Sequence, residues 1–191
     1  MVVLESGLKW SKMEDRLKDM GDEDQKGGSV SSSASMPQNS PSFYGSYEHV
    51  IDAKGRVALP SSFRSLLKPE DDNSVVLTNF ITEGVRCLDG FSLSAWREFE
   101  HTLRERGRFN PSVRKLETFY FSRAAHCTCD SNGRINIPSH LREYAGIEKD
   151  LVFTASLHGF RVWRKEVWNM VFSQAEEMLL EDPSLFEGID S

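Results

Sequence analysis

The chain has 191 residues, with 23 Lys and Arg against 29 Asp and Glu and a formal net charge of −6 when histidine is neutral. That length allows one or two domains. With 39% apolar residues it can bury a core, whereas 27% charged residues and the lack of any long uncharged apolar run leave nothing to span a bilayer. The acidity sits in the ends: residues 43–172 hold 18 basic and 16 acidic side chains, residues 1–42 hold 5 and 7, and residues 173–191 hold none and 6.

Residues 1–42 read as an extension. Glu5, Lys9, Lys12, Glu14, Asp15 and Arg16 interrupt the stretch where an export signal would need continuous apolar residues. Trp10, Met13, Leu17 and Met20 recur at helical spacing and predict a short amphipathic helix, marginal on its own. Residues 21–42, rich in Gly and Ser and without an aromatic, predict a disordered linker. Met36 lies just before the first patterned segment, so a start there would remove most of the extension. Three cysteines, an odd number, suit a reducing interior better than a disulfide framework.

From residue 43 onward the chain repeats itself. Asp52-Ala53-Lys54-Gly55-Arg56-Val57-Ala58-Leu59-Pro60 recurs 78 residues later as Asp130-Ser131-Asn132-Gly133-Arg134-Ile135-Asn136-Ile137-Pro138. At the same offset Phe43 falls on Phe121, Phe63 on Leu141 and Arg64 on Arg142. Further on, Phe91 and Trp96 match Trp163 and Trp168 at an offset of 72. Two copies are too few for a solenoid, so the expected arrangement is two similar units folded against each other as a pseudo-dimer.

Each copy follows one plan. An extended run (44–51; 124–129) meets an Asp-x-x-Gly turn and then a short strand (56–59; 134–137). Pro60 and Pro138 stand where a short helix takes proline at its first position. Two strands follow in each, 75–79 with 85–88 and 151–155 with 159–163. A closing helix carries Trp96, Phe99 and Leu103 on one face in the first copy, and Trp168, Val171, Phe172, Ala175 and Leu179 in the second, until Pro183 ends the pattern. A helix started by Asn110-Pro111 bridges the copies. Each unit is expected to bury its own Phe43/Phe121 and Phe63/Leu141 pair.

The turn carries the functional signal. Its Asp accepts a bond from a backbone N–H two residues on, and its Gly supplies a positive φ, so the motif is first a hairpin device. Geometry does not dictate the tip residue or the one after Gly: Lys54 and Arg56 in the first copy, Asn132 and Arg134 in the second. Long donors beside a tight turn suit phosphate oxygens and, for the planar Arg fork, guanine edges. The bland alternative is that Arg56 and Arg134 pair with Asp52 and Asp130 or another carboxylate.

Phe43-Tyr44-Gly45, the two turns, Leu59-Pro60-Ser61-Ser62-Phe63-Arg64, Cys87-Leu88, Leu141-Arg142-Glu143-Tyr144-Ala145-Gly146 and the paired tryptophans together resemble the MraZ family over residues 43–172. The resemblance implies a mainly β fold with flanking helices (α+β), built from two tandem swapped-hairpin AbrB-like β-barrel units. Residues 1–42 are then an extension, 43–106 the first SpoVT-AbrB-like domain, 107–118 a connecting helix, 119–172 the second domain, and 173–191 the end of the C-terminal helix with an acidic tail. It further implies a cytoplasmic, nucleoid-associated transcriptional regulator, forming homo-oligomeric rings on repeated double-stranded promoter elements ahead of the division and cell-wall gene cluster. The DNA-binding residues carried over are Lys54, Gly55, Arg56, Asn132, Gly133 and Arg134, with Asp52 and Asp130 structuring the loops. Departures from the family pattern are Tyr44, where Arg is frequent, Arg123 before Ala124, the uncharged tip Asn132, and the long extension.

Other constellations are weaker. His126-Cys127-Thr128-Cys129 offers soft donors without the second cluster zinc needs, so the cysteines read as buried strand residues. No P-loop, dinucleotide fingerprint or metalloprotease motif occurs. No metal, cofactor or small-molecule substrate is expected, and no enzyme activity. The rival reading from another class is an AbrB-fold assembly or protein-interaction module that does not touch DNA.

Overall fold

In the computed structural model, which describes residues 43–107, 109–182 and 184, strand formation follows from β-branched and aromatic runs punctuated by tight turns. The first half contains β1 (Ser46–Val50), β2 (Arg56–Ala58), the one-turn helix α1 (Ser61–Arg64), β3 (Ser74–Thr82), β4 (Val85–Ser92) and α2 (Leu93–Glu105). Helix α3 (Pro111–Phe119) leads into the second half, which contains β5 (Ala125–Thr128), β6 (Arg134–Asn136), α4 (Ser139–Ala145), β7 (Asp150–Ser156), β8 (Gly159–Arg164) and α5 (Lys165–Glu181). The predicted helix over residues 10–20, the linker at 21–42 and the last seven residues of the acidic tail lie outside the described residues.

Six strands form one curled antiparallel sheet in the order β1-β7-β8-β4-β3-β5, and β2 pairs with β6 as a separate ribbon. The halves exchange their first strands: β1 pairs with β7 of the second half, and β5 pairs with β3 of the first. Two registers mark a pseudo-twofold axis. Val57 lies opposite Ile135, its own counterpart at offset 78, and Asp89 lies opposite Arg161, its counterpart at offset 72. Each is the point where a repeat residue meets its copy. The swapped-hairpin pseudo-dimer is therefore visible in the strand pairing itself.

Strand side chains alternate between two covered faces. On β3, Val75 and Leu77 point into the curl, while Val76 joins Phe91, Trp96 and Tyr120 beneath α2. On β8, Phe160 and Val162 point inward and Trp163 meets Val171 of α5. Both faces are buried along most of β3 and β7, which suits their nearly continuous apolar runs.

The inner core is shared rather than duplicated. Phe63 and Leu141, both fully buried, sit in one cluster with Ile51, Val57, Ile135, Phe153 and Phe160. Phe43 packs edge-on against Phe63, with ring centroids 5.0 Å apart, whereas its copy Phe121 packs against Trp96 and Phe99 in the outer cluster. The expectation of one private core per unit thus gives way to a common core, because strand exchange mixes the inward faces of both halves. The face expected along α5 also ends early: beyond Val171 every residue to Glu181 is exposed, Phe172, Met178 and Leu180 included.

The bridge between halves is tied down by a buried polar contact. The Tyr120 hydroxyl donates to the Asp89 carboxylate, and the Thr78 hydroxyl donates to the Tyr120 carbonyl. Burial pushes the Asp89 carboxyl above the usual carboxylate range, a shift that Tyr120 and Arg161 oppose.

Candidate nucleic-acid interface

The β2–β6 ribbon places the candidate residues. Its register sets Arg56 opposite Asn136 and Ala58 opposite Arg134. Directly paired residues share a face of an antiparallel ribbon, so these four project to one side while Val57 and Ile135, essentially unexposed, project into the core. Since each strand is only three residues long, the two turns preceding them flank one small surface.

Both turns are built alike. In the first, the Asp52 backbone N–H donates to the Arg56 carbonyl and the Gly55 N–H donates to the Asp52 carbonyl, each at 2.9 Å. Asp52 Oδ1 accepts the backbone N–H groups of Lys54 and Arg56, both at 2.9 Å. In the second, the Asp130 and Gly133 N–H groups donate to the Arg134 and Asp130 carbonyls at 2.8 Å, and Asp130 Oδ1 accepts from Asn132 and Arg134 at 2.8 and 2.9 Å. Gly55 and Gly133 have φ of +82° and +71°, which side chains rarely adopt. These bonds account for the Asp and the Gly of the motif.

The arginines have carboxylate partners. Arg56 Nε and Nη2 reach Asp52 Oδ2 at 2.8 and 2.7 Å, and Arg134 Nε and Nη2 reach Asp130 Oδ2 at 2.9 and 2.8 Å. The Asp–Arg pair is therefore present in both copies. It does not exhaust either guanidinium: a guanidinium has five N–H donors, and the side chains remain 40% and 34% exposed. The side-chain bond from Arg56 is the main reason the Asp52 carboxyl is held down at about 2. Asp130 is lowered as well, first by the backbone N–H of Arg134 and then by its side chain.

With each Arg balanced by its Asp, the charge left over differs. Lys54 stands exposed at the first tip, and uncharged Asn132 stands exposed at the second. Counting each turn's own residues alone, the first carries one net positive charge and the second none.

Each turn is also covered by an arginine from the other half, which the motif reading did not single out. Gly133 lies beneath Arg64, so a Cβ there would fall 1.7 Å from Arg64 Nη1; Gly55 lies beneath Arg142, whose Nε would be 3.1 Å from such a Cβ. Arg142 Nε donates to the Ile137 carbonyl at 3.0 Å, while Arg64 Nε is buried without a partner. The signal was the match of Arg64 to Arg142 at offset 78, but its meaning depends on contacts across the axis. Reciprocal backbone bonds lock the turns together: Ile137 N–H donates to the Gly55 carbonyl at 2.8 Å, and Leu59 N–H to the Gly133 carbonyl at 3.0 Å.

The strand cysteines sit where packing would put them. Cys127 and Cys129 are buried, and burial pushes the Cys127 thiol up to about 12. Among the described residues, no cluster of three or more His, Cys, Asp or Glu side chains is arranged to hold a metal ion, and no helix is long and apolar enough to cross a membrane. Tyr44 is 74% exposed.

The tandem arrangement agrees with comparison to known proteins. The model of the MraZ protein family matches twice in succession, over residues 42–119 and 120–184. The chain belongs to the MraZ family. It is 38% identical over 138 residues to a transcriptional regulator MraZ of Caldanaerobacter subterraneus subsp. tengcongensis, covering 72% of this chain and 91% of the relative. A transcriptional regulator MraZ of Legionella pneumophila (strain Corby) is 35% identical over 139 residues, covering 73% and 88%. Both relatives are named for regulation of transcription and neither for a reaction.

Proposed function

We propose that this protein is a sequence-specific, double-stranded-DNA-binding transcriptional regulator that uses the two Asp-x-x-Gly-Arg turns as its reading surface and is not an enzyme. Its target is a set of repeated elements in the promoter of the division and cell-wall gene cluster, and it works as a homo-oligomeric ring in the cytoplasm, associated with the nucleoid. The domains doing this are residues 43–106 and 119–172, joined by the segment 107–118.

The observation that carries the reading is the ribbon face. Arg56 and Arg134 lie diagonally on one side of a three-residue ribbon, flanked by exposed tips, in two copies of one scaffold. Phosphate contacts would position this surface and spare guanidinium donors would read base edges. A chain of net charge −6 is repelled by DNA at long range, so useful affinity calls for several such faces engaging repeated sites together. The exposed apolar residues at the end of α5, Phe172, Met178, Leu179 and Leu180, support self-association.

One observation favours the rival reading, an assembly module without DNA contact: both arginines already hold a carboxylate. A footprint of the purified protein across its own upstream region, repeated at several salt concentrations, separates the two. Protection of repeated elements that weakens steeply with salt is expected. Absent protection would overturn the DNA reading, and uniform protection would overturn its sequence specificity.

A further inference from the structure

The repeat breaks at one place on the ribbon face, and the break has a structural consequence. Asn136 of the second half corresponds at offset 78 to Ala58 of the first. In the orientation in which its donors meet acceptors, the Asn136 amide nitrogen donates to the Lys54 carbonyl at 3.0 Å and the Gly55 carbonyl at 3.1 Å. Those are the tip and the glycine of the first turn. Ala58 has no donor to offer the equivalent carbonyls of Asn132 and Gly133.

We propose that Asn136 is a positioning residue that braces the first turn from across the pseudo-twofold axis and holds Lys54 ready for the DNA backbone, while the second turn, held by its backbone bonds, lacks this side-chain brace and is the more adaptable of the two. The proposal rests on the DNA-binding reading above. Its physical basis is preorganisation: an ordered tip gives up less freedom when it binds, so the gain appears as affinity without any new charge. Because Asn136 is neutral and its amide is spent on two carbonyls, its removal should leave the number of phosphate contacts unchanged. The same exchange written in reverse, Ala58→Asn, should install a brace on the second turn.

The test uses the full-length protein and two readouts. Hydrogen exchange followed by mass spectrometry, without DNA, compares peptides spanning residues 50–58 and 128–136. The wild type should protect the first more than the second, Asn136→Ala should abolish that difference, and Ala58→Asn should raise protection of the second peptide. Titration on a duplex carrying the footprinted elements should then show Asn136→Ala binding about 3–10-fold more weakly, with the slope of log K against log salt unaltered. Equal exchange in wild type and Asn136→Ala overturns the brace. Lost protection without lost affinity overturns its role in positioning, as does an affinity loss accompanied by a shallower salt slope. A wild type that binds no duplex overturns the DNA reading instead, and the exchange data still decide whether the brace exists.

Discussion

Turn 52–56 and turn 130–134 share their Asp, their Gly, their Arg and the same set of internal hydrogen bonds, yet they are not equivalent. The first carries a lysine at its tip and receives the Asn136 amide; the second carries an asparagine and faces Ala58. Repetition has preserved what the turn needs to form and varied what it presents. Residues common to both copies are therefore candidates for folding as much as for recognition, and the differences between copies are the better guide to what each surface does.

The glycines give the largest test of this separation. Both hold a positive φ, so a side chain at either costs about 1–2 kcal/mol in backbone strain. Their surroundings then diverge. A Cβ on Gly55 would meet the Ile137 carbonyl, a backbone atom, at 2.9 Å, whereas on Gly133 it would meet the movable end of Arg64. Gly55→Ala should thus destabilise by about 2–4 kcal/mol in total and Gly133→Ala by only about 1–2 kcal/mol. Denaturant titration of the two variants checks the order, and equal losses would mean that the Arg64 side chain is as fixed as backbone.

Next in size is the arginine comparison. Arg56→Ala should weaken binding to operator duplex by about 1–3 kcal/mol and relax preference over scrambled DNA, if the fork reads a base edge. Arg134→Ala should cost less, since the second tip adds no cation. Either variant should lower folding stability only slightly, as expected for a solvent-exposed ion pair. Parallel duplex titrations and melting curves separate the effects. A large stability loss with unchanged operator binding would make the Asp–Arg pair the whole function of these arginines.

Much of this was legible in the residues themselves. The 78-residue register located both turns, both ribbon strands and the match of Arg64 to Arg142, because turn chemistry is local and survives as Asp, Gly and Pro at set spacing. What local pattern could not supply was partnership. That Arg64 covers the other half's glycine, and that Phe121 leaves the inner core to which Phe43 contributes, follow from strand exchange, which brings together residues far apart in the chain. Helix periodicity failed at α5 for a related reason: Phe172, Ala175 and Leu179 keep their spacing whether or not the fold provides a surface to receive them. The role of Asn136 is not legible in the repeat because it stands where the copies differ, with Ala58 as its counterpart, and its partners lie in the other half of the chain.

Smaller still is the effect of the tip charge. Lys54→Ala should weaken specific and random DNA alike and flatten the dependence of log K on log salt by about one unit per protomer engaged, as one phosphate contact is lost. The reciprocal change, Asn132→Lys, should steepen it by a similar amount. Duplex titrations between low and moderate salt measure both slopes. If Asn132→Lys leaves the slope unaltered, the second tip does not approach the backbone, and the asymmetry between turns is one of placement and not of charge.

The smallest effect concerns the protons on the two carboxylates, and it isolates the arginine side chain from the backbone. Asp52 is held at about 2, chiefly by the Arg56 side chain; Asp130 is lowered first by the Arg134 backbone N–H, which alanine at that position retains. Arg56→Ala should therefore raise the Asp52 carboxyl further toward its ordinary value of 3.8 than Arg134→Ala raises Asp130. The sign for stability follows from a folded value below the unfolded one. The contribution of each pair is fully present above the ordinary carboxylate value and is lost as pH falls, for Asp52 through about 2. Neither turn should change between pH 5 and pH 8, so any pH dependence of DNA binding in that window must come from other groups. Carbon-detected NMR titration of the two carboxyls in wild type and both variants measures this directly. Equal rises in the two variants would show that the turns hold their acids by the same bond, and the electrostatic distinction between them would then rest on Lys54 alone.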